Sequence, residues 1–457
     1  MYSIHTFLLQ KELFRSPEPV KTTVVSSFTD TPALQQIARQ ADSDYILFYT
    51  GTSPIELHPY AIGRMYQIAE SNDGALFYSD YQEIRQGKKI HHPTLEYQTG
   101  SIRNDFDFGQ LLLFRNDSFQ QVVAQMNTDY RFAALYELRL SISRLGKIVH
   151  IPETLYTVQP TDLRLSGEKQ FDYVDPANRE VQLEMEAVCT AHLQAIGAWL
   201  APEFQRIDFG QENFAREASV IIPVRNRKRT IAEAVESALQ QQTDFSFNVI
   251  VVDNHSTYGT GQILTELSRR YPNLIHHIPA STELGIGGCW TEAILLPECG
   301  KFAIQLDSDD LYKDCHVLQR IVDTFYQENC AMVIGSYQMV DFKLEEIPPG
   351  LIAHREWTPD NGRNNALRIN GLGAPRAFYT PVLRQIKFPN VSYGEDYATA
   401  LAISRKYPIA RIYDPLYLCR RWEENSDHDL DIQQLNNYNF YKDKIRTLEI
   451  QARISGK

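Results

Sequence analysis

Three aspartates crowd into four positions at the end of a short apolar run. The run, Phe302–Leu306, has the length and composition of a buried strand, and Asp307, Asp309 and Asp310 follow it. Carboxylates this close repel one another, so either solvent screens them or a cation neutralises them. Hard divalent ions such as Mg²⁺ and Mn²⁺ take oxygen ligands of this kind. The alternative is an acidic turn in which Asp309 or Asp310 caps a helix over 314–327.

The composition is that of a soluble globular protein long enough for two or three domains. Of its 457 residues, 43% are hydrophobic and 22% are charged. A net charge of −12 argues against nucleic acid as a general partner. No apolar run approaches the ~18 residues of a membrane span, and no secretion signal is evident, so we expect a cytoplasmic protein. The six cysteines are scattered without CxxC spacing, which predicts reduced thiols.

Strands and helices alternate in both halves of the chain, which predicts an α/β fold with a mostly parallel sheet. Four strands are predicted in the second half, over 219–224, 247–252, 274–278 and 302–306. In such sheets, ligands bind beyond the carboxyl ends of the strands. Asn226, Asp253, Gly285 and Asp307 follow these four strands. We therefore expect these residues to gather along one edge of the sheet.

The chain contains a candidate internal repeat. Tyr45–Ser53 precedes a predicted helix and strand in the same way as Phe302–Asp310 does, which places Thr50 and Thr52 where the second copy has aspartates. We interpret the first half as a degenerate copy of the second, although two ordinary strand-helix-strand units could coincide by chance. The predicted organisation is a first domain over 1–160, a linker and connecting helix over 161–217, a second domain over 218–425 and a helical tail over 426–457.

Residues 218–425 resemble the family 2 glycosyltransferases of GT-A fold, and the first domain resembles this fold only faintly. No single motif is specific, but their order and spacing are. The motifs are SVIIPVRNR (219–227), VIVVDNHST (249–257), ELGIGGCWTEA (283–293), LDSDD (306–310) and YGEDY (393–397).

The resemblance implies an inverting sugar transfer from a nucleotide-diphosphate donor, with a UDP-sugar favoured, to an acceptor hydroxyl in glycan or polysaccharide synthesis. It assigns Mn²⁺ or Mg²⁺ to Asp307 and Asp309, with His428 as a third ligand or, alternatively, part of a surface turn. It implies Asp396 as the base that deprotonates the acceptor hydroxyl, and Glu395 as a neighbour that organises the site or binds acceptor. Simple stabilisation of a helix N-terminus by these two carboxylates is the alternative.

The resemblance also implies a set of donor-binding residues. Gly285 would permit close backbone approach to the nucleotide, Asp253 would accept a hydrogen bond from base or ribose, and Arg421 would contact the diphosphate. The full set is Pro223, Asn226, Asp253, Gly285, Asp307 and Arg421. Glu283 and Trp290 replace residues common in the family, which leaves the donor's identity open.

The sequence leaves two other functions open. A nucleotidyltransferase would also use a sugar nucleotide and Mg²⁺, but the segment 223–229 has no glycine-rich phosphate loop. The second possible function is that of a catalytically inactive protein that binds sugar nucleotides or glycans. The presence of Asp307, Asp309 and Asp396 argues against this function. The first domain is interpreted as a module for acceptor binding, domain packing or dimerisation. Peripheral membrane contact also stays open.

Overall fold

The computed structural model describes residues 2–159, 178–210, 213–422 and 430–456. No helix within these ranges is long and apolar enough to cross a membrane. The chain divides into two compact units. The first unit contains the described residues up to Trp199, Leu367–Ile369 and the described residues from Leu430 onwards, and the second contains the described residues of Leu200–Ala366 and Asn370–Asp429.

A nine-stranded mixed sheet forms the centre of the first unit, in the order β2-β5-β9-β6-β8-β4-β1-β3 with β7 paired to β6. Its strands are β1 (Ile4–Leu8), β2 (Phe14–Arg15), β3 (Lys21–Val24), β4 (Tyr45–Tyr49), β5 (Ile55–Leu57), β6 (Gly74–Arg85), β7 (Lys88–His92), β8 (Leu111–Arg115) and β9 (Lys147–Val158). Its helices, in chain order, are α1 (Thr31–Gln40), α2 (Ala61–Glu70), α3 (Asn116–Val123), α4 (Ala134–Leu145) and α5 (Arg179–Ala195).

The second unit is built on another nine-stranded mixed sheet, in the order β12-β11-β10-β13-β17-β15-β18-β14 with β16 paired to β15. Its strands are β10 (Ala218–Val224), β11 (Phe247–Asp253), β12 (Leu274–His277), β13 (Phe302–Gln305), β14 (Leu311–Tyr312), β15 (Met332–Val340), β16 (Glu346–Ile352), β17 (Arg376–Tyr379) and β18 (Ile409–Arg420). Its helices are α6 (Ile231–Leu239), α7 (Thr260–Arg270), α8 (Ile286–Leu295), α9 (Val317–Glu328), α10 (Gly362–Asn365), α11 (Thr380–Ile386) and α12 (Glu395–Ser404).

The predicted α/β fold is confirmed, but the prediction of a mostly parallel sheet is wrong, because each sheet mixes parallel and antiparallel pairs. The parallel part of the second sheet is the region that carries the motifs. Strands β12, β11, β10 and β13 are parallel neighbours, whereas β17 runs antiparallel to β13 and to β15. The central strands are continuous apolar runs because both faces of the sheet are covered. Their carboxyl ends therefore lie side by side at one edge of the sheet.

The predicted internal repeat is confirmed by the order and direction of the strands. Strands β3, β1 and β4 are parallel neighbours, β8 runs antiparallel between β4 and β6, and β9 pairs in parallel with β6 through register shifts. Strands β11, β10, β13, β17, β15 and β18 repeat this arrangement. Tyr45 and Phe302 are each the first paired residue of their strand, so Thr50 takes the position of Asp307.

The edge of the first unit that corresponds to the aspartate cluster is filled by its own side chains. A Cβ added to Gly51 would lie 2.1 Å from Oε1 of Gln110 and 2.5 Å from the Tyr49 hydroxyl. The backbone N–H of Thr50 donates to the carbonyl of Gln110. At this edge, Thr50 therefore stands where the second copy has Asp307.

Two predicted helices lie in the first unit. The predicted connecting helix is α5, and the predicted tail helix is α13 (Ile432–Ile454). On α13, Asp443 accepts hydrogen bonds from Arg103 and Arg446, and all three side chains are buried. Such a buried network needs every charge paired, which ties the helix to this unit. The helix predicted to follow Tyr45–Ser53 is α2, which begins at Ala61 because β5 uses residues 55–57.

Candidate active site

The aspartate cluster does not cap the helix that follows it. Leu311–Tyr312 pairs with β18 directly after the cluster, and α9 begins only at Val317, with His316 in the N-cap position. The helix-cap alternative for Asp309 and Asp310 is therefore wrong. The segment is instead held by hydrogen bonds to the second half of β18 and the residues after it.

Asp307 is held between β13 and β18. Both of its carboxylate oxygens lie 3.0 Å from the Nε2 of Gln305, which donates to them, and its backbone N–H donates to the hydroxyl of Tyr417 at 2.8 Å. Burial raises the pKa of Asp307, against the opposing effects of Arg376 and Gln305. The carboxylate is thus fixed in place, and its negative charge is costly without a cation nearby.

Asp309 and Asp310 are each bound by a residue at the end of β18. The indole Nε1 of Trp422 donates to Oδ2 of Asp309 at 3.1 Å, and the backbone N–H of Arg420 donates to Oδ1 of Asp310 at 2.8 Å. Burial, followed by the charges of Asp309 and Asp307, raises the pKa of Asp310 well above its usual value. The cluster therefore has more negative charge than its surroundings neutralise.

A partly buried arginine connects this cluster to the predicted base. Arg376, at the start of β17, donates its backbone N–H and its Nε to Oε1 of Gln305, at 3.1 and 2.9 Å. Its Nη1 forms an ion pair with Oδ2 of Asp396 at the start of α12. Because Gln305 also binds Asp307, one network joins the candidate metal carboxylate to the candidate base. The structure thus brings Asp307 and Asp396 together on one face of the sheet edge.

Glu395 lies beside Asp396 but in a less polar environment. Its side chain is buried, and its Oε2 accepts no hydrogen bond from the described residues. Burial, and then the charge of Asp396, raises the pKa of Glu395 to about 8. Glu395 is therefore mostly protonated at neutral pH.

We expect Glu395→Gln to change how stability depends on pH. A carboxyl group whose pKa is about 8 when folded and near 4.5 when unfolded takes up protons on folding, so wild-type stability falls as pH rises between these values. The slope is at most about 1.4 kcal/mol per pH unit. Gln has the same shape as Glu and never ionises. The difference in melting temperature between the variant and wild type should therefore shift in favour of the variant from pH 5 to pH 9. A parallel series for Glu298→Gln serves as control, and identical pH profiles for wild type and Glu395→Gln would contradict the assignment.

The glycine-rich turn before α8 contacts the segment that leads into α12. A Cβ on Gly285 would lie 2.5 Å from the carbonyl carbon of Val391, and one on Gly287 would lie 2.0 Å from the carbonyl oxygen of Pro389. The N–H of Gly285 donates to Oδ1 of Asn390 and that of Gly287 to the carbonyl of Val391. The predicted approach of Gly285 to a nucleotide stays a prediction, and the backbone that the structure places against these glycines is residues 389–391. The glycines thereby position the start of α12.

The predicted nucleoside-binding residues lie at the ends of β10 and β11. Asn226 has φ of 55°, and its Oδ1 accepts from the N–H of Thr257. Asp253 is buried and accepts hydrogen bonds from the N–H of Ser256 at 2.9 Å and from His276 at 3.2 Å. Burial opposes ionisation of Asp253, but these hydrogen bonds outweigh it and lower the pKa. The two loops are therefore joined, and Asp253 carries a negative charge.

An open cavity of about 710 Å³ lies beside Asp253, and its lining includes Gly261, Arg269 and His276. None of the aspartates at positions 307, 309 and 396 is among the described residues that line it. Pro223 pairs with Val252 next to this loop, within β10. The cavity therefore belongs to the β11 side of the sheet edge, next to the predicted nucleoside pocket and separate from the acidic cluster.

Two predicted site residues lie after β18. The backbone N–H of Arg421 donates to the carbonyl of Val340 at 2.8 Å, and its side chain is partly exposed. His428 lies outside the described residues, so its predicted role as a metal ligand stays a prediction. Within the described residues, no group of three or more His, Cys, Asp or Glu side chains is arranged to hold a metal ion.

The donor set nevertheless suits a hard divalent cation. Asp307 and Asp309 supply only oxygen ligands, and burial raises the pKa values of Asp307 and Asp310, so their negative charge is costly in this part of the site. A cation bound there would remove the repulsion that burial makes costly. Asp307 and Asp309 are the residues that would hold it.

Residues 219–386 match the family model described as "Glycosyl transferase family 2". The match runs from β10 through α11 and includes the aspartate cluster and Arg376. The domain formed by these residues belongs to glycosyl transferase family 2. Its mixed sheet, with the acidic motif at the carboxyl end of a central parallel strand, is the GT-A-type arrangement that the sequence predicted.

Curated relatives of this glycosyltransferase domain match parts of the chain. An uncharacterized glycosyltransferase of Nostoc is 32% identical over 123 residues, which are 27% of this chain and 37% of the relative. A poly(ribitol-phosphate) beta-glucosyltransferase of Bacillus spizizenii is 24% identical over 230 residues, 49% of this chain and 35% of the relative. The chain thus spans little more than a third of the length of these relatives.

Solved structures similar to this chain include that of S. aureus TarS 1–349 in complex with UDP-GlcNAc, with 22% identity and a TM-score of 0.40. The similarity covers 52% of this chain and 72% of that one. A mannosyltransferase from Pyrobaculum calidifontis in complex with GDP-Man and Mn²⁺ has 15% identity and a TM-score of 0.37, over 63% of this chain and 86% of that one.

Gln305, Arg376 and Tyr417 were missed by the sequence reasoning, although they hold the acidic residues of the glycosyltransferase domain. The sequence did contain one signal for Gln305, which is the only polar residue in the apolar run Phe302–Leu306. A buried amide needs hydrogen-bond partners, so its presence in a central strand indicates a polar network. Nothing comparable marked Arg376 or Tyr417, because their partners are distant in sequence.

Proposed function

We propose that this protein transfers a sugar from a nucleotide-diphosphate donor to an acceptor hydroxyl, with inversion at the anomeric carbon. The network in which Gln305 and Arg376 join Asp307 to Asp396 supports this proposal most strongly. It places a carboxylate suited to a metal-bound diphosphate and a carboxylate suited to a base within one connected site. Inverting transfer needs both groups, one for the leaving group and one for the nucleophile.

In the proposed reaction, the oxygen of the acceptor hydroxyl attacks the anomeric carbon of the donor sugar, and Asp396 accepts the proton of that hydroxyl. The bond between the anomeric carbon and the diphosphate breaks at the same time. Arg376 pairs with one carboxylate oxygen of Asp396 and orients the other towards the acceptor. Asp307 and Asp309 would hold Mn²⁺ or Mg²⁺, which when bound stabilises the negative charge of the diphosphate. Glu395, protonated at neutral pH, supplies a hydrogen-bond donor beside the base.

A UDP-sugar is the proposed donor, and polysaccharide synthesis in the cytoplasm is the proposed context. The joined loops at Asn226 and Asp253 support binding of a nucleoside at the β10 and β11 edge. The relative from Bacillus spizizenii is named for glucosyl transfer to poly(ribitol-phosphate), so polyol-phosphate polymers belong in the acceptor panel. The decisive assay measures release of nucleotide diphosphate from UDP- and GDP-sugars, with Mn²⁺ and with each acceptor. No turnover with any donor would leave a sugar-nucleotide-binding protein as the better description.

We expect Asp309→Asn to remove metal-dependent donor binding. Asn keeps an oxygen that can accept the Trp422 hydrogen bond but removes one negative charge from the metal ligands. Thermal shift with UDP should show a Mn²⁺-dependent stabilisation in wild type, because a ligand that binds the folded state raises its apparent stability. The variant should lose most of this Mn²⁺-dependent part. Asp360→Asn, at an exposed aspartate of the same unit, is the control, and an unchanged Mn²⁺ response in Asp309→Asn would refute the metal assignment.

A further inference from the structure

Four cations occupy five consecutive positions between β10 and α6. This basic loop, residues 225–229, reads Arg-Asn-Arg-Lys-Arg, in a chain whose net charge is −12. Its Arg225, Lys228 and Arg229 are exposed and form no ion pair with any carboxylate in the described part of the chain. A concentration of unneutralised positive charge in an acidic protein attracts anions to that place.

The basic loop lies next to the acidic cluster. The guanidinium of Arg229 is 4.4 Å from the ring centroid of Phe342 and 5.4 Å from that of Trp422, and Arg227 lies 5.7 Å from the Trp422 ring. The Phe342 and Trp422 rings are themselves 5.2 Å apart. Trp422 also donates to Asp309, so this aromatic pair connects the arginines to the candidate metal carboxylates. The two rings pack against the guanidinium of Arg229, which is exposed, so its N–H groups can still reach a ligand.

The loop conformation is fixed as well. Asn226 has a left-handed backbone conformation, donates its N–H to Ser256 and accepts from Thr257. The stem of Lys228 packs on Gly259, where an added Cβ would lie 3.2 Å from its Cδ. The basic loop therefore has a fixed backbone conformation, and its cations lie between Gly259 and Phe342.

We propose that the basic loop, with Phe342 and Trp422, is a binding site for phosphate groups beside the sugar-transfer site. Guanidinium groups match phosphate oxygens in geometry and charge, and an ordered set of them favours phosphate over a single carboxylate. The phosphate comes either from the donor's diphosphate or from phosphodiesters along the acceptor.

The test compares the full chain with a variant that carries Arg225→Gln, Lys228→Gln and Arg229→Gln. The matched control neutralises three exposed cations elsewhere in the same unit, Arg206→Gln, Arg270→Gln and Lys406→Gln. Calorimetry measures binding of two phosphate probes, pyrophosphate with Mn²⁺ and poly(glycerol phosphate). Hyaluronan, a carboxylate polymer, controls for binding of any polyanion. Since no probe is a sugar donor, the result is independent of whether sugar transfer occurs.

We expect the triple variant to bind poly(glycerol phosphate) about tenfold more weakly than wild type, and its affinity should depend less on salt concentration. The control variant should bind this polymer as tightly as wild type does. Loss confined to pyrophosphate would also support a phosphate site and would assign it to the donor. Equal affinity of wild type and triple variant for both phosphate probes would overturn the proposal. Binding of hyaluronan as tightly as poly(glycerol phosphate) would overturn it too, because the surface would then attract any polyanion.

Discussion

Asp396→Asn is expected to lower kcat about 10²–10⁴-fold while the donor still binds, since positioned general-base catalysis contributes roughly that much. Asn cannot accept the acceptor's proton, but its side-chain oxygen can still accept the hydrogen bond from Arg376. The fold and the donor site should therefore remain. Steady-state release of nucleotide diphosphate in the presence of acceptor measures kcat, and thermal shift with UDP and Mn²⁺ measures binding.

Asp360→Asn provides the control for this experiment, because it removes one carboxylate charge from an exposed position of the same unit. Its kcat should equal that of wild type. If Asp396→Asn kept full turnover, Asp396 could not be the base, and Glu395 would become the residue to test. A simultaneous loss of donor binding and turnover would indicate that Asp396 supports the structure of the donor site.

Arg376→Met should affect both stability and turnover. The substitution leaves the carboxylates of Asp307 and Asp396 without the cation between them and removes the side-chain donor to Oε1 of Gln305, which keeps the backbone N–H of residue 376. Because this hydrogen-bonded ion pair is partly buried, its loss should cost about 1–3 kcal/mol of unfolding free energy. Chemical denaturation measures this loss. Arg384→Met is the matched control, because Arg384 donates to the main-chain carbonyls of Ile294 and Leu296.

Arg376→Lys separates the positioning role from the structural one. Lys restores the positive charge but lacks the planar fork that serves Gln305 and Asp396 together. We expect most of the stability to return while kcat stays well below wild type, with the KM for donor little changed. In a double-mutant cycle with Asp396→Asn, the two losses of kcat should be far from additive, because both substitutions act on the same carboxylate. Full recovery of kcat in Arg376→Lys would leave Arg376 with a structural role only.

The sequence was sufficient for those features that depend on local pattern. The apolar runs ending in Asp253 and Asp307 predicted buried parallel strands, and strands of that kind must end at a common edge. The repeat of Tyr45–Ser53 in Phe302–Asp310 was also visible, because equivalent strands in equivalent places need similar hydrophobic patterns. The structure agrees with both, and the shared strand order of the two sheets extends the repeat across both units.

The sequence was less reliable where distant segments compete for the same group. Asp309 and Asp310 had a plausible local role as helix caps, but Trp422 and Arg420 bind them instead. Gly285 was expected to approach the nucleotide closely, which stays a prediction, and the neighbour that the structure shows is the segment 389–391. Both outcomes depend on contacts more than 90 positions apart in the chain, which local pattern does not encode.

By itself, the sequence determined the fold class, the family resemblance and the acidic groups at the strand ends, because hydrophobic period and motif spacing are local properties. Only the tertiary structure decided that Arg376 and Gln305 join Asp307 to Asp396, and that Trp422 links the basic loop to Asp309. Charges and amides pair with whatever partner the packed sheet brings within hydrogen-bond distance, and burial makes an unpaired group too costly to keep.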